Sequence, residues 1–106
     1  MQPSTLPTRR MICEIYYSGQ DPMTEFEVEL RLDEKELVIS YEDEDTQGKP
    51  LVVIYRGKNT GDGHFELRAT GVEGRATLHR HPKHDVFEGT WIEEGAKGMW
   101  RLRPNL

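Results

Sequence analysis

The stretch Phe87–Leu102, FEGTWIEEGAKGMWRL, decides the fold that the sequence predicts. It contains the two tryptophans of the chain, and each follows a glycine by two residues, as Gly89-Thr90-Trp91 and Gly98-Met99-Trp100. A two-residue turn at Gly95–Ala96 would join two strands, because glycine readily takes the positive φ that such turns require. In that register the tryptophans face each other on one side of the hairpin, and charged residues of opposite sign face each other on the other side. The stretch therefore predicts an antiparallel hairpin with one face in a core.

A second hairpin is predicted at His64–Thr70 and Gly74–His79, with Gly71–Val72 at the centre of its turn. The register that follows pairs Phe65 with Leu78, Leu67 with Ala76, His64 with His79, and Arg68 with Arg75. The apolar pairs support this register. The two arginines count against it, because like charges placed directly opposite each other destabilise a sheet.

The clearest single strand is Thr24–Leu32, in which apolar residues at every second position alternate with charged ones. This period of two is typical of a strand with one buried face. A turn at Glu34–Lys35 would place Leu32 and Leu30 opposite two apolar residues of the next strand, Leu37 and Ile39 respectively. Three further stretches are predicted to be strands: Met11–Tyr17, Leu37–Tyr41 and Leu51–Tyr55. The last is almost continuously apolar, which indicates burial on both sides or a partner on its outer face.

Together these segments predict an all-β fold, in which about eight antiparallel strands form a small up-and-down meander barrel. Closure of the barrel removes the exposed edge strands that promote aggregation. The alternative is a two-sheet β-sandwich built from the same hairpins. We expect residues 1–9 to form a flexible tail, residues 10–106 to form a single domain, and residues 18–22 to form a loop between the first two strands.

Composition and charge limit the classes of function. The chain has 106 residues, a net charge of −5 and one cysteine, Cys13. The acidic balance argues against a nucleic-acid binder, and a lone cysteine cannot form an internal disulfide or a cysteine-based zinc site. No apolar run is long enough for a membrane span, and no apolar signal segment follows Arg9-Arg10. We therefore expect a cytoplasmic protein that does not associate with membranes.

The Gly-x-Trp elements and the order of neighbouring strands resemble the calycin barrels, which are the avidins and lipocalins. In those families the Gly-x-Trp motif lies on the first strand, whereas here both copies lie on the last two. The resemblance implies a barrel, and the interior of an eight-stranded barrel is either filled by side chains or holds one small ligand. The resemblance assigns no binding residues to this chain.

The first hypothesis for function is a non-enzymatic barrel that binds a small, partly apolar molecule. The candidate lining residues are Trp91, Trp100, Tyr41 and Phe65. The second hypothesis is a protein-interaction module, with a homodimer possible, that uses the apolar strand Leu51–Tyr55. Serine, cysteine and acidic residues occur in no arrangement typical of catalysis, so we predict no enzyme activity and no cofactor.

The third hypothesis is a domain that responds to metal or pH through its histidines. The candidate metal ligands are His64, His79, His81 and His84, to which Asp85 could add a carboxylate. Imidazoles bind divalent transition metals and titrate near neutral pH. Against this hypothesis, Arg80 and Lys83 lie within the same stretch and would repel a cation.

Overall fold

The structure is a computed structural model that describes residues 5–17 and 24–105. It confirms the predicted fold class, an all-β up-and-down barrel in which eight antiparallel strands close when the first pairs with the last. The strands are β1 Leu6–Tyr17, β2 Thr24–Leu32, β3 Glu36–Glu44, β4 Pro50–Lys58, β5 His64–Thr70, β6 Gly74–Arg80, β7 Phe87–Glu93 and β8 Ala96–Pro104. The predicted loop at residues 18–22 lies outside the described residues. The described part of the chain has no helix long and apolar enough to cross a lipid bilayer.

Two of the predicted strand registers are confirmed. Leu32 pairs with Leu37 and Leu30 pairs with Ile39, as the apolar alternation of β2 requires. In the β5–β6 hairpin, Phe65 pairs with Leu78, and the outward-facing pairs include His64 with His79 and Arg68 with Arg75. The like-charge pair that counted against this register is therefore present in the folded protein.

The predicted register of the β7–β8 hairpin is wrong by two residues. The turn is formed by Glu94 and Gly95, whose φ angles are 51° and 81°. Positive φ at both central residues is the signature of a type I′ turn, whose twist matches that of the flanking strands. Because the shift is even, the tryptophans stay on the inner face, but they no longer face each other.

In the observed register each tryptophan lies opposite a glycine: Trp91 pairs with Gly98, and Trp100 pairs with Gly89. A Cβ atom on Gly98 would overlap the carbonyl oxygen of Tyr16 and lie 2.8 Å from Cζ2 of Trp91. The indole nitrogens donate to backbone carbonyls, Trp91 Nε1 to Met99 at 3.1 Å and Trp100 Nε1 to Thr77 at 3.0 Å. A Cβ atom on Gly89 would overlap the carbonyl oxygen of Thr77. Both glycines therefore let the backbone of a neighbouring strand approach closely, and Gly98 also leaves room for the ring of Trp91.

Several strands extend beyond their predicted limits, and the extensions of β1 and β4 matter most for the core. β1 begins at Leu6, which pairs with Leu32, rather than at Met11. β4 runs to Lys58, and its residues alternate between the two faces of the barrel wall. Val53 and Tyr55 point into the core, with 0% and 2% of their surface exposed, whereas Val52 on the outer face is 55% exposed. Burial on both sides, one of the two expectations for this apolar run, is therefore not observed.

The barrel has two ends that differ in packing. At the closed end lie the β2–β3, β4–β5 and β6–β7 connections, and the interior there is filled by apolar side chains. Those with no more than 2% of their surface exposed are Leu30, Leu32, Leu37, Phe65, Leu78, Phe87 and Leu102. The opposite end, reached by the last residues of β1 and β7, is called the open end below.

Candidate functional site

The barrel wall divides between β2 and β3 at the open end. The β2–β3 ladder joins Glu29–Leu32 to Leu37–Ser40, and within the described strands it continues no further. The flanking ladders do continue, since β1 pairs with β2 as far as Thr24 and β3 pairs with β4 as far as Glu44.

Acidic residues occupy both strands where the β2–β3 ladder ends. If the same register continued, Glu27 would lie opposite Glu42, and Glu25 would lie opposite Glu44. Carboxylates placed directly opposite each other destabilise a strand pair. We infer that this repulsion keeps the two strand ends apart.

The division opens a cleft of about 720 Å³ that runs from the outer surface into the barrel. This volume lies within the range of roughly 300–1,000 Å³ that is typical of small-molecule sites. The inward-facing lining residues include Ile15, Tyr17, Phe26, Val28, Tyr41, Asp43 and Glu93.

Glu93 is the central polar group of the cleft. Its Oε1 atom accepts hydrogen bonds from the hydroxyls of Tyr41 at 2.9 Å and Tyr55 at 2.8 Å. Burial, reinforced by the charge and hydrogen bond of Glu93, raises the pKa of both tyrosines well above the ordinary value. Both hydroxyls therefore remain protonated donors at neutral pH, and they hold the carboxylate in one position.

Aromatic rings form the walls and part of the floor of the cleft. The rings of Phe26 and Tyr41 meet edge to face across the divided strands, with centroids 5.1 Å apart. Tyr17 contacts Trp91 in the same way at 5.1 Å. Such arrangements place ring faces and edges at defined angles and restrict the motion of the side chains.

The outer rim of the cleft is acidic. Its outward-facing lining residues include Glu27, Glu29 and Glu42, and Asp43 lies on the inner side. The single basic lining residue, Arg10, donates to Glu27 at 3.1 Å, so part of its charge is compensated. Carboxylates of the rim and Glu93 together favour a positively charged occupant.

The four predicted lining residues lie at different depths. Tyr41 lines the cleft. Trp91 and Trp100 are buried beneath it, with 8% and 4% of their surface exposed, and Phe65 packs against Phe87 at the closed end, with centroids 6.1 Å apart.

The sequence interpretation missed Glu93, Phe26, Tyr17 and Tyr55 as site residues. A signal for Glu93 was available, because it has the same inward parity on β7 as Phe87, Gly89 and Trp91. A carboxylate at an inward position of a barrel strand needs hydrogen-bond partners, which here are tyrosines of β3 and β4.

The histidines form two pairs. Nδ1 of His64 lies 3.1 Å from Nδ1 of His79 on the outer wall, and the rings of His81 and His84 lie 4.8 Å apart in the β6–β7 connection. Among the described residues no group of three or more histidine, cysteine or acidic side chains is arranged to hold a metal ion.

Asp85, the carboxylate that could have joined the histidines, contacts arginines instead. It accepts from Arg80 at 2.8 Å and from Arg9 at 3.3 Å. These arginines hold the pKa of Asp85 below its usual value.

Comparisons with family models, curated proteins and solved structures gave no match to this chain.

Proposed function

We propose that the protein is a non-enzymatic barrel that binds a small, partly apolar amine in the cleft at its open end. The observation that carries the proposal is the fixed carboxylate of Glu93, which two protonated tyrosines orient inside an aromatic-walled cleft. From the resemblance to the lipocalins the proposal takes only the general mode of binding, in which a barrel holds a ligand in its interior.

The shape of the cleft supports a ligand with an apolar body. Phe26, Tyr41 and Tyr17 offer ring surfaces at its walls. Ring faces carry negative electrostatic potential and attract cations, so the same residues suit a ligand whose apolar body bears a positive group.

The charge of the cleft supports a protonated amine over a neutral or acidic group. The tyrosines donate to Oε1 of Glu93 and leave the second oxygen, Oε2, as an acceptor. A charge-assisted hydrogen bond to a carboxylate is about twice as strong as a neutral one. An anionic ligand would meet repulsion from Glu93, from Asp43 and from the rim.

The absence of a catalytic step is part of the proposal. Cys13 has 0% of its surface exposed, and burial raises the pKa of its thiol to about 12. A thiol in this state is a poor nucleophile, because the thiolate is the reactive species.

The other two hypotheses remain predictions. For the interaction module, Val52 is 55% exposed on the outer face of β4, so that face offers an apolar contact to a partner or a second copy. For the metal- or pH-responsive domain, the relevant observation is that Nδ1 of His64 and Nδ1 of His79 lie 3.1 Å apart on the outer wall.

The test compares benzylamine, which is a cation at neutral pH, with two molecules of similar size. Benzyl alcohol is uncharged, and benzoate is an anion. Binding is measured by isothermal titration calorimetry and by chemical-shift changes of the Tyr and Trp ring resonances. We expect benzylamine to bind most tightly and benzoate least. A reversed order, or binding that leaves the rings of Tyr41 and Tyr17 unperturbed, would contradict the proposal.

The matched variants are Glu93→Gln and Glu88→Gln, which remove one carboxylate each from the same strand. Glu88 faces outward and pairs with Arg101 at 3.3 Å. We expect Glu93→Gln to weaken benzylamine binding at least tenfold, while Glu88→Gln leaves it within twofold. Equal losses would indicate a general charge effect rather than a site.

A further inference from the structure

A row of arginines crosses the outer wall of the barrel, on the side formed by β4, β5 and β6. In the strand registers Arg56 lies opposite Arg68, and Arg68 lies opposite Arg75. Residues directly opposite each other have Cβ atoms about 4.5–5.5 Å apart, so three guanidinium groups share one strip of the surface. Arg56, Arg68 and Arg75 are called the arginine row below.

The arginine row is only partly neutralised. Arg56 lies 3.7 Å from Glu36, a carboxylate that also accepts from Arg31 at 3.0 Å. Among the described residues, Arg68 and Arg75 have no ion pair with any carboxylate and no side-chain hydrogen bond. The other exposed arginines of the wall, such as Arg101, do have such partners.

The row lies in a groove of about 800 Å³ on the outer surface. Lys58 adds a fourth positive charge to the lining, against the two carboxylates of Asp62 and Glu66. The carboxylate of Asp62 accepts hydrogen bonds from the hydroxyl of Thr60 and from the backbone N–H of His64, and both bonds stabilise the β4–β5 loop. The groove therefore has a net positive charge in a chain whose net charge is −5.

The row works against the stability of the barrel. Like charges placed directly opposite each other destabilise a strand pair, and here two such pairs are adjacent. Natural sequences usually avoid like charges at opposed strand positions. Where a sequence keeps them without a compensating contact in the fold, a functional site is expected. An anion in the groove would convert this repulsion into attraction.

We propose that the arginine row is a binding site for a small organic phosphate. Arginine presents a planar fork of donors that matches phosphate oxygens, and a phosphate carries about −1.5 to −2 charges for three arginines to share. Ile92 lies opposite Arg75, is 43% exposed, and gives the organic part of the ligand an apolar contact. The site is separate from the cleft, which lies on the divided β2–β3 side and favours cations.

The probes are phenyl phosphate, inorganic phosphate and benzoate, titrated at constant ionic strength and followed by calorimetry and by arginine side-chain NMR. We expect phenyl phosphate to bind most tightly, inorganic phosphate next and benzoate least. Benzoate binding as tightly as phenyl phosphate would overturn the assignment to phosphate. The absence of a phosphate-dependent shift at Arg68 and Arg75 would overturn the site itself.

The matched variants are Arg68→Gln and Arg101→Gln, which change the net charge equally. We expect Arg68→Gln to weaken phenyl phosphate binding at least tenfold and to raise the midpoint of urea unfolding at low salt, since it relieves the repulsion. Arg101→Gln should leave binding within twofold. Equal weakening by both variants, or a lower unfolding midpoint for Arg68→Gln without ligand, would contradict the proposal.

Discussion

The two ends of the barrel are built from the same strands, but they differ in what fills the interior. At the closed end the inward positions carry leucines and phenylalanines with almost no exposed surface. At the open end they carry tyrosines and carboxylates, and the wall divides between β2 and β3. One end therefore supplies the packing that keeps the barrel closed, while the other is free to hold polar groups.

The largest change in the free energy of unfolding is expected when an aromatic side chain at the closed end is truncated. Phe65→Ala removes a side chain that is 2% exposed and packs against Phe87. The cavity and the lost burial should lower the free energy of unfolding by about 3–5 kcal/mol. Phe26→Ala, at the half-buried open end, should cost at most about 1.5 kcal/mol. Urea unfolding measures both, and similar costs would mean that the two ends are packed alike.

A smaller decrease in the free energy of unfolding is expected at alkaline pH, and it should arise from the tyrosines at the open end. The pKa values of Tyr41 and Tyr55 are raised in the folded protein, so the folded state keeps two protons that the unfolded chain releases above about pH 10. The contribution of the two tyrosines to the free energy of unfolding is thus fully present below pH 10. It falls as the pH rises further, by up to about 1.4 kcal/mol per pH unit for each tyrosine.

Urea unfolding between pH 8 and pH 11.5 measures this slope. Tyr41→Phe should make the slope shallower, whereas Tyr16→Phe, at a side chain that is 41% exposed on the outer face, should not. A slope that Tyr41→Phe leaves unchanged would contradict the hydrogen bond between Tyr41 and Glu93.

The smallest effect is expected at Cys13, which lies between the two ends. Its thiol is fully buried and its pKa is raised to about 12, so a thiol reagent at pH 8 should react at least 100-fold more slowly with the folded protein than with the urea-unfolded chain. Stopped-flow absorbance with a disulfide reagent measures the two rates. Comparable rates would show that the open end admits water and reagent to the middle of the barrel.

The two predicted hairpins show what can and cannot be predicted about register from a sequence. The β5–β6 register followed from apolar pairing and was confirmed, including the unfavourable Arg68–Arg75 pair. The β7–β8 register was chosen on the preference of glycine for the first position of a turn and was wrong. Glu94 takes a positive φ of 51°, which is uncommon for a residue other than glycine and leaves no strong mark in the sequence.

The candidate site could be predicted only in part. Tyr41 was identified by its aromatic character, but Trp91, Trp100 and Phe65 lie in the core, because aromatic rings serve packing and ligand contact alike. The cleft depends on the end of the β2–β3 ladder. The sequence shows that Glu27 and Glu42 are acidic. It does not show that they would lie opposite each other at the end of the β2–β3 ladder, because that requires the strand register.

The strands, the inward faces of most of them and their up-and-down order follow from local patterns in the sequence. Alternation of apolar and polar residues has the same period as a strand, and short turns join neighbouring strands. Three features appear only in the folded barrel: the pairing of each tryptophan with a glycine, the hydrogen bonds of two tyrosines to Glu93, and the adjacency of Arg56 to Arg68. These contacts join strands through the closure of the barrel and the conformations of its turns. Both depend on the whole chain reaching one compact arrangement, which no local pattern specifies.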